Sequence, residues 1–268
     1  MQIIKPYTEI LSQGEGIQGM YRQIELAGRV SYKSEDRMTD TSAEEFVDRI
    51  KKLNHGAVLE HGTVYLTFPL YLMSVPKYQH NKYSYVADKG GHYYVTTNYR
   101  VICENGWYED LKYMTEPTES HEKRVSVRFV CDRGVSHELV RHRVFSFMQE
   151  SSRFCNYSKG KFGCQIAFIQ PSELSDEDLS SSAEGLMFQV MLENAETSYL
   201  TLIKNGWKPQ QARTVLPNAT KTEVIMTGFV SDWKHFFDLR CAVSAHPDMR
   251  ALTLPLKDRF IQLGYLKE

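Results

Sequence analysis

The stretch from Ser136 to Tyr157, SHELVRHRVFSFMQESSRFCNY, combines basic and hydroxyl side chains with apolar ones. It places Arg141, His142 and Arg143 in a row among apolar residues. Arginine and histidine are typical of a helix end, where they interact with the last carbonyl groups. They are also typical of a binding site for an anionic group, because a guanidinium matches the oxygens of a phosphate or carboxylate. Composition alone leaves both interpretations open.

The overall charge indicates that any anion site is local. The chain of 268 residues has a formal net charge of −1, so no global field favours nucleic acid or an anionic membrane as a partner. No stretch approaches the ~20 apolar residues of a membrane span, and the beginning MQIIKPYTEIL lacks the features of a signal peptide. The five cysteines form no Cys-x-x-Cys pair, which favours reduced thiols. We therefore expect a cytoplasmic protein without a nucleic-acid or membrane partner.

Hydrophobic periodicity predicts an α+β fold. It indicates strands at residues 2–10, 63–68, 124–131, 165–169 and 220–230, and helices at 20–30, 41–53, 138–143, 182–205, 208–217 and 232–239. Because the elements do not alternate in a regular βαβ series, we expect a single mixed domain over residues 1–268, with a central sheet and long helices. The tyrosine-rich residues 69–123 are predicted to be an insertion that serves as a lid, an oligomer contact or a specificity element.

The first half of the central stretch is predicted to be helical. Ser136 is a suitable cap for a helix over residues 138–143. On this helix Glu138, Arg141 and His142 would share one face by i, i+3 and i, i+4 spacing. The second half of the stretch would form a loop that carries the serines.

The segment HGAVLEH, from His55 to His61, suggests a metal site because two histidines flank a glutamate. Their separation of six residues does not match the i, i+4 spacing of an HExxH zinc helix, so we predict no metal. A capped turn that leads into the following strand is as good an interpretation of this segment as any functional role.

The central stretch contains Arg-His-Arg, then two residues, Ser, four residues, Ser, one residue and Arg. This spacing resembles the signature of the flavin-dependent thymidylate synthases. Two other segments resemble that family in the same order. One is the His-x-x-x-x-Glu-His element before a strand, and the other is an Ala-Arg-x-Val-Leu-Pro helix followed by a strand and a helix ending in Leu-Arg. The resemblance covers about residues 54–68, 124–157 and 208–246.

The resemblance implies a function and an assembly. The reaction would be the reductive methylation of dUMP to dTMP. The carbon donor would be 5,10-methylenetetrahydrofolate, and FAD reduced by NADPH would supply the hydride. In this family the flavin binds between the subunits of a homotetramer, which agrees with the lack of a GxGxxG motif in this chain. No enzyme thiol or hydroxyl is required as a nucleophile, so Cys155 is expected to be a small buried residue.

The resemblance also implies site residues. Arg240 would lie against the uracil edge as the catalytic residue, because a guanidinium that keeps its proton stabilises negative charge as it develops on the ring. The residues implied for dUMP are Glu138, Arg141, Gln149, Glu150, Ser151, Ser152, Arg153, Arg213 and Arg240. Those implied for FAD are Ala57, Glu60, Arg141, His142, Arg143, Gln149 and His235, and His55 is implied for folate.

Several positions depart from the family pattern, and other functions stay open. Ala57 stands where the family often has Thr, and Phe154 where Tyr is common. Residues 229–231 replace a more polar flavin-binding segment, and His246 lies two residues later than the family histidine. Without the resemblance, Arg213 would be interpreted as an exposed salt-bridging residue. The alternative functions are flavin-dependent methylation of another pyrimidine nucleotide, and non-catalytic binding of a nucleotide or nucleic acid.

Overall fold

The computed structural model describes residues 1–72, 75–159 and 163–267. The strands are β1 (Gln2–Ile4), β2 (Tyr7–Leu11), β3 (Thr63–Pro69), β4 (Tyr85–Lys89), β5 (His92–Asn98), β6 (Arg124–Asp132), β7 (Ser146–Gln149), β8 (Ala167–Ile169) and β9 (Lys221–Phe229). The helices are α1 (Gly16–Val30), α2 (Ser42–Lys52), α3 (Gly56–Leu59), α4 (Pro76–Gln79), α5 (Tyr99–Asn105), α6 (Arg133–Leu139), α7 (Asp176–Ser181), α8 (Ala183–Lys204), α9 (Pro209–Ala212), α10 (Val230–Arg240) and α11 (Pro247–Gln262). The predicted α+β class is confirmed.

A four-stranded antiparallel sheet of order β2-β6-β9-β7 forms the centre of the fold. Strand β6 is the predicted alternating strand, and its inward residues pack with β9 against α10 and α11 in one apolar cluster. Trp233 of α10 is fully buried there, and its indole nitrogen donates to the carbonyl of Val125 over 3.1 Å. Since burying one large apolar side chain contributes about 1.5–3 kcal/mol, this cluster fixes α10, which ends at Arg240, onto the sheet.

The opposite face of the central sheet is covered by α1. Ala27 and Val30 of this helix pack with Ile225 of β9. The predicted apolar stripe of α2 packs nearby through Phe46 and Ile50, whereas Leu53, which follows the helix end, is exposed. The sheet is therefore covered on both faces.

The predicted insertion adds strands to a second sheet. Strands β3, β5 and β4 form an antiparallel sheet in that order, so most of residues 69–123 fold onto the strand that precedes them. The hydroxyl of buried Tyr78 donates to Asp110 over 2.7 Å and ties the two ends of this segment together. The expectation that residues 93–104 are folded is confirmed by β5 and α5. Met73 and Ser74 lie outside the described residues.

The first predicted strand, residues 2–10, is two strands in different sheets. Strand β1 pairs in parallel with β8, and β2 pairs antiparallel with β6. Pro6 lies between them and has no N–H to donate to a continuous ladder, in line with its predicted place at a strand end. Helix α1 begins at Gly16, earlier than predicted.

The helix predicted over residues 138–143 is wrong. Helix α6 ends at Leu139 and begins at Arg133, because the Asp132 carboxylate caps it by accepting from the amide of Val135 over 2.9 Å. The Arg-His-Arg run therefore follows the helix end in a turn, and Glu138 shares no helix face with Arg141 and His142. The predicted loop after it contains strand β7, which pairs with β9.

The other predicted helices are confirmed with small changes at their ends. The long helix is α8, and the helix ending at Arg240 is α10. The segment predicted as a helix over 208–217 is shorter, with α9 followed by a 3₁₀ turn, Arg213–Val215. In the part of the chain that the structure describes, no helix is long and apolar enough to cross a membrane.

Candidate active site

Arg240 contacts two side chains of the central stretch. Its Nη1 forms an ion pair with the carboxylate of Glu138, and its Nη2 donates to the Glu138 carbonyl over 3.1 Å. Its Nε donates to Nε2 of His142 over 2.8 Å. The carbonyl of Arg240 accepts from Thr253 of α11 over 3.0 Å. Glu138 and His142 of the central stretch thus meet Arg240, from a separate motif, at the end of α10, and every guanidinium nitrogen of Arg240 has a partner.

His142 is a neutral member of this cluster. Burial, and then the charges of Arg240 and His235, lower its pKa from 6.5 to about 4. Because its Nε2 accepts from Arg240, the hydrogen-bond network assigns the ring proton to Nδ1. The ring packs edge-on against Phe236, with centroids 4.9 Å apart. His142 is therefore a fixed acceptor at neutral pH rather than the cation that the sequence suggested.

Arg141, Arg143 and His235 lie on the exposed side of this cluster. Within the described ranges, neither Arg141 nor Arg143 forms an ion pair with a carboxylate. His235 lies close enough for its charge to lower the pKa of His142. Two exposed guanidinium groups without a carboxylate partner are a suitable donor set for a diphosphate group.

A second group of predicted residues lines a cavity of about 210 Å³ beside the start of β9. Arg213 reaches the cavity from the 3₁₀ turn after α9, and its Nη1 donates to the hydroxyl of Ser152 over 3.0 Å. Arg133, at the start of α6, also lines it. In the part of the chain that the structure describes, neither arginine has a carboxylate partner within ion-pair distance. The cavity therefore presents two uncompensated positive charges.

Lys221, the third cation that lines this cavity, is neutralised by carboxylates. Lys221 forms ion pairs with Glu150, at 2.9 Å, and with Glu223. Glu223 also contacts Lys33 and Arg128, and the distance from Arg128 Nε to Glu223 Oε2 is 2.7 Å. Burial raises the pKa of Glu223, but the Lys221 and Lys33 ammonium groups outweigh it and hold this pKa at about 2. Glu223 therefore stays ionised and, together with Glu150, pairs with Lys221, which leaves Arg133 and Arg213 as the cations of the cavity without a carboxylate partner among the described residues.

Gln149 connects the cavity to the Arg240 cluster. Its side-chain amide donates to the hydroxyl of Ser136 over 3.0 Å and to that of Thr222 over 3.2 Å. Thr222 lines the cavity, and Ser136 lies two residues before Glu138 on α6. This chain of hydrogen bonds holds the two groups of predicted residues in a fixed relation to each other.

Other predicted residues of the central stretch lie outside the cavity wall. Ser151 donates its backbone amide to the carbonyl of Ser31 over 2.9 Å. Arg153 is exposed, with its guanidinium carbon 5.3 Å from the centroid of the Phe154 ring. Their assignment to the dUMP phosphate stays a prediction. Cys155 is 1% exposed, so its expected burial is confirmed.

The segment His55–His61 forms α3 and the turn into β3. His55 and Ala57 are exposed, and Glu60 forms an ion pair with Arg100, with 2.6 Å between Oε1 and Nη1. His61 is fully buried, and burial together with the charge of Arg124 lowers its pKa to about 3. Its Nδ1 lies 2.8 Å from the hydroxyl of Thr227. Among the described residues, no group of three or more His, Cys, Asp or Glu is arranged to hold a metal ion.

Sequence reasoning missed Arg133, Lys221 and Arg100. Arg133 and Lys221 border predicted strands, so a search for cations at strand ends would have found them. Arg100 lies in the predicted insertion, which no motif covered. Glu60, a partner of Arg100, and Glu150, a partner of Lys221, are 40 and 71 residues away from them in sequence, and no local pattern indicates such pairs.

A comparison with protein families decides the relationship. The model of the thymidylate synthase complementing protein family matches residues 112–263, which is more than half of the chain. The chain belongs to this family. The recognition made from the central stretch is confirmed, and the match extends through α11, beyond the last predicted motif. The match does not include residues 54–68, so the resemblance of the His-x-x-x-x-Glu-His element to the family stays a prediction.

Curated relatives of this member of the thymidylate synthase complementing protein family are named flavin-dependent thymidylate synthase. One from Geobacter sulfurreducens is 32% identical over 124 residues, which are 46% of this chain and 50% of the relative. One from Corynebacterium aurimucosum is 32% identical over 127 residues, which are 46% and 51%. The chain spans about half the length of the curated relatives it matches.

One solved structure is similar along the whole chain. It is a UMP/dUMP methylase PolB from Streptomyces cacaoi, bound with 5-Br dUMP. The TM-score is 0.48 at 16% sequence identity, and the alignment covers 98% of this chain and 93% of that one. A similarity of this size adds no argument about function.

Proposed function

We propose that this chain catalyses the reductive methylation of dUMP to dTMP, with 5,10-methylenetetrahydrofolate as carbon donor and FAD reduced by NADPH as hydride source. Family membership and the names of the relatives support this proposal. The observation that carries it is the position of Arg240, held by Glu138 and by neutral His142 at the end of α10.

We propose that Arg240 stabilises negative charge on the uracil ring. A guanidinium cannot lose its proton in the physiological range, so it stays a donor while charge develops on the ring. Its three contacts hold it in place before substrate binds, which avoids reorganisation during the reaction. Glu138 and Gln149 would accept from or donate to the uracil and sugar edges.

The cavity with Arg133 and Arg213 is the proposed site of the dUMP phosphate. Two guanidinium groups and the Ser152 hydroxyl supply the donors that a phosphate requires. The hydrogen bonds of Gln149 place this cavity next to the Arg240 cluster, as a nucleotide with a phosphate at one end and a base at the other requires. Arg153 and Ser151 are proposed to assist from the exposed side.

Arg141, Arg143 and His235 are the proposed contacts of FAD. The exposed guanidinium groups of Arg141 and Arg143 supply hydrogen-bond donors of the kind that the diphosphate of FAD requires. Ala57 and Glu60 are proposed as further contacts, and His55 as a contact of folate. When bound, FAD would supply the redox chemistry that no side chain of the protein provides.

We propose that the chain forms a homotetramer with active sites between subunits. Leu186, Met187, Val190 and Met191 form an exposed apolar face on α8, and each is at least half exposed in the single chain. Spacings of one, three and four residues bring them to one side of the helix. Adjacent exposed apolar residues of this kind favour association, because their burial removes apolar surface from water.

The single domain over residues 1–268 and a cytoplasmic location are also proposed. Support for the location comes from the five cysteines, which form no disulfide bond among the described residues. Cysteines without disulfide bonds suit a reducing compartment.

The visible absorption spectrum of the desalted protein after incubation with FAD tests the function. We expect an oxidised-flavin spectrum that NADPH bleaches, and dTMP formation when dUMP and methylenetetrahydrofolate are added. Methylation of dCMP but not dUMP would support the alternative pyrimidine substrate. A colourless folded protein that binds DNA or RNA in a salt-dependent way would contradict the proposal and support a nucleic-acid binder.

A further inference from the structure

The insertion over residues 69–123 contacts the segment proposed for flavin binding. Arg100 lies in the first turn of α5, which Asn98 caps by accepting from the amide of Val101. Its guanidinium lies against Gly56 at the start of α3. A Cβ atom placed on Gly56 would be 2.8 Å from Nε of Arg100, so a side chain at position 56 would displace the guanidinium.

Arg100 binds two carboxylates from this position. Its Nη1 donates to Oε1 of Glu60 over 2.6 Å, and its Nε donates to Oε1 of Glu104 over 2.7 Å. Hydrogen bonds to Glu104, and then to Glu60, raise the pKa of Arg100. Glu60 is the more enclosed acceptor, because its side chain is 24% exposed and that of Glu104 is 57% exposed. The ion pair with Glu60 is therefore less exposed to solvent than the one with Glu104, and salt weakens it less.

Glu60 is held at two points. The carbonyl of Glu60 accepts from Nη1 of half-buried Arg124 over 3.1 Å, and Oε1 of Glu60 accepts from Arg100. Among the described residues, Oε2 of Glu60 has no hydrogen-bond partner. A glutamate side chain loses rotamer freedom when it binds a ligand, and this loss is smaller when another contact already fixes the side chain.

Resting on the proposed flavin-dependent function, we propose that Arg100 is a positioning residue of the flavin site. By taking one oxygen of Glu60, it fixes the orientation of the second oxygen for an N–H or O–H donor of the cofactor. The inserted segment is then part of the cofactor-binding machinery, through its α5.

Titration of FAD into the apoprotein, monitored by the quenching of flavin fluorescence, tests this role. We expect Arg100→Gln to raise the Kd for FAD about tenfold, which corresponds to about 1.4 kcal/mol. Arg100→Lys should restore part of the affinity, since it keeps the charge but lacks the planar fork. Glu104→Gln, the matched control, removes the exposed partner of Arg100 and should change Kd by less than about twofold, as expected for an exposed pair.

A double-mutant cycle separates positioning from a general structural role. If Arg100 acts through Glu60, Arg100→Gln combined with Glu60→Gln should raise Kd no more than Glu60→Gln alone. The proposal would be overturned if the effects of the two substitutions on the Kd for FAD multiplied in the double variant, or if Arg100→Gln alone had the wild-type Kd. If Arg100→Gln does not fold, Gly56→Ala displaces the same guanidinium and should weaken FAD binding equally. Wild-type protein that binds no FAD would instead contradict the proposed function, and this inference with it.

Discussion

The guanidinium of Arg240 donates from Nε to Nε2 of His142 over 2.8 Å, and the imidazole that accepts it is neutral. The two residues are 98 positions apart and come from α10 and from the turn after α6. A protonated histidine has no acceptor nitrogen, so this contact exists only while His142 is deprotonated. The orientation of the proposed catalytic arginine therefore depends on the protonation state of a neighbour.

Replacement of Arg240 by lysine should abolish most of the activity. Lysine keeps the charge but cannot donate at the same time to Glu138 and His142 from a planar fork. Removal of one preorganised donor typically reduces kcat by about 10²–10³-fold, so we expect at least a hundredfold loss of dTMP formation with the flavin spectrum retained. Arg259→Lys, at an exposed position of α11, is the control. Full activity of Arg240→Lys would contradict the proposed role.

The titration of His142 should respond to Arg240. The pKa of His142 is about 4, lowered by burial first and by the charge of Arg240 second. Arg240→Gln removes the second cause, so the pKa should rise toward its ordinary value of 6.5 without reaching it. NMR titration of the His142 ring resonances measures this change. An unchanged pKa would show that the charge of Arg240 does not act on the ring.

The same shift predicts the sign of the pH dependence of stability. The pKa of His142 is lower in the folded protein than in the unfolded chain. Its neutral ring therefore contributes fully to the free energy of unfolding above about pH 6.5, and this contribution is lost as the pH falls to about 4. His61, with a folded pKa of about 3, contributes with the same sign. Urea midpoints should therefore decrease between pH 7 and pH 5. His61→Gln should flatten this dependence, and a midpoint that rises on acidification would contradict it.

The sequence identified residues that meet in one cluster better than it predicted their backbone conformation. Glu138, His142 and Arg240 could be assigned together because they lie in or beside motifs with fixed spacing. The orientation of the Arg-His-Arg run could not, because a helix N-cap at Asp132 competes with one at Ser136 and shifts the helix to end at Leu139. The compensation of Lys221 by Glu150 and Glu223 arises from tertiary pairing, which a linear pattern does not contain.

Substitution of Glu223 should destabilise the fold without changing its apolar core. Glu223 is 4% exposed and contacts Lys33, Arg128 and Lys221. Glu223→Gln removes the carboxylate that three partly buried cations share and leaves them only Glu150 or Glu35 as carboxylate partners among the described residues. We therefore expect the free energy of unfolding to fall by about 3 kcal/mol, the lower end for a broken buried ion pair. Equilibrium urea unfolding measures the change. Asp176→Asn, which breaks an exposed ion pair with Lys5, should have little effect, and equal effects of the two variants would contradict the role of burial.

Removal of Arg213 should weaken dUMP binding specifically. Its guanidinium lines the cavity with Arg133, and a hydrogen bond to a charged group contributes about 1.5–3 kcal/mol, which is about 10–150-fold in affinity. We therefore expect Arg213→Ala to raise KM for dUMP by at least tenfold while the Kd for FAD stays unchanged. Steady-state kinetics and flavin titration measure the two quantities. A loss of FAD binding with normal KM for dUMP would assign the cavity to the cofactor instead.

The exposed apolar face of α8 predicts how the chain assembles. Met187 and Met191 are 64% and 59% exposed in the single chain, although the opposite side of the helix is anchored by buried Leu192 and Tyr199. Met187→Glu together with Met191→Glu would place two carboxylates in the interface, where they would have to be desolvated, so this double substitution should dissociate the proposed homotetramer. Sedimentation velocity measures its mass. Leu53→Glu adds charge at an isolated exposed residue and should leave assembly intact. A double variant that stays tetrameric would show that the subunits associate through another surface.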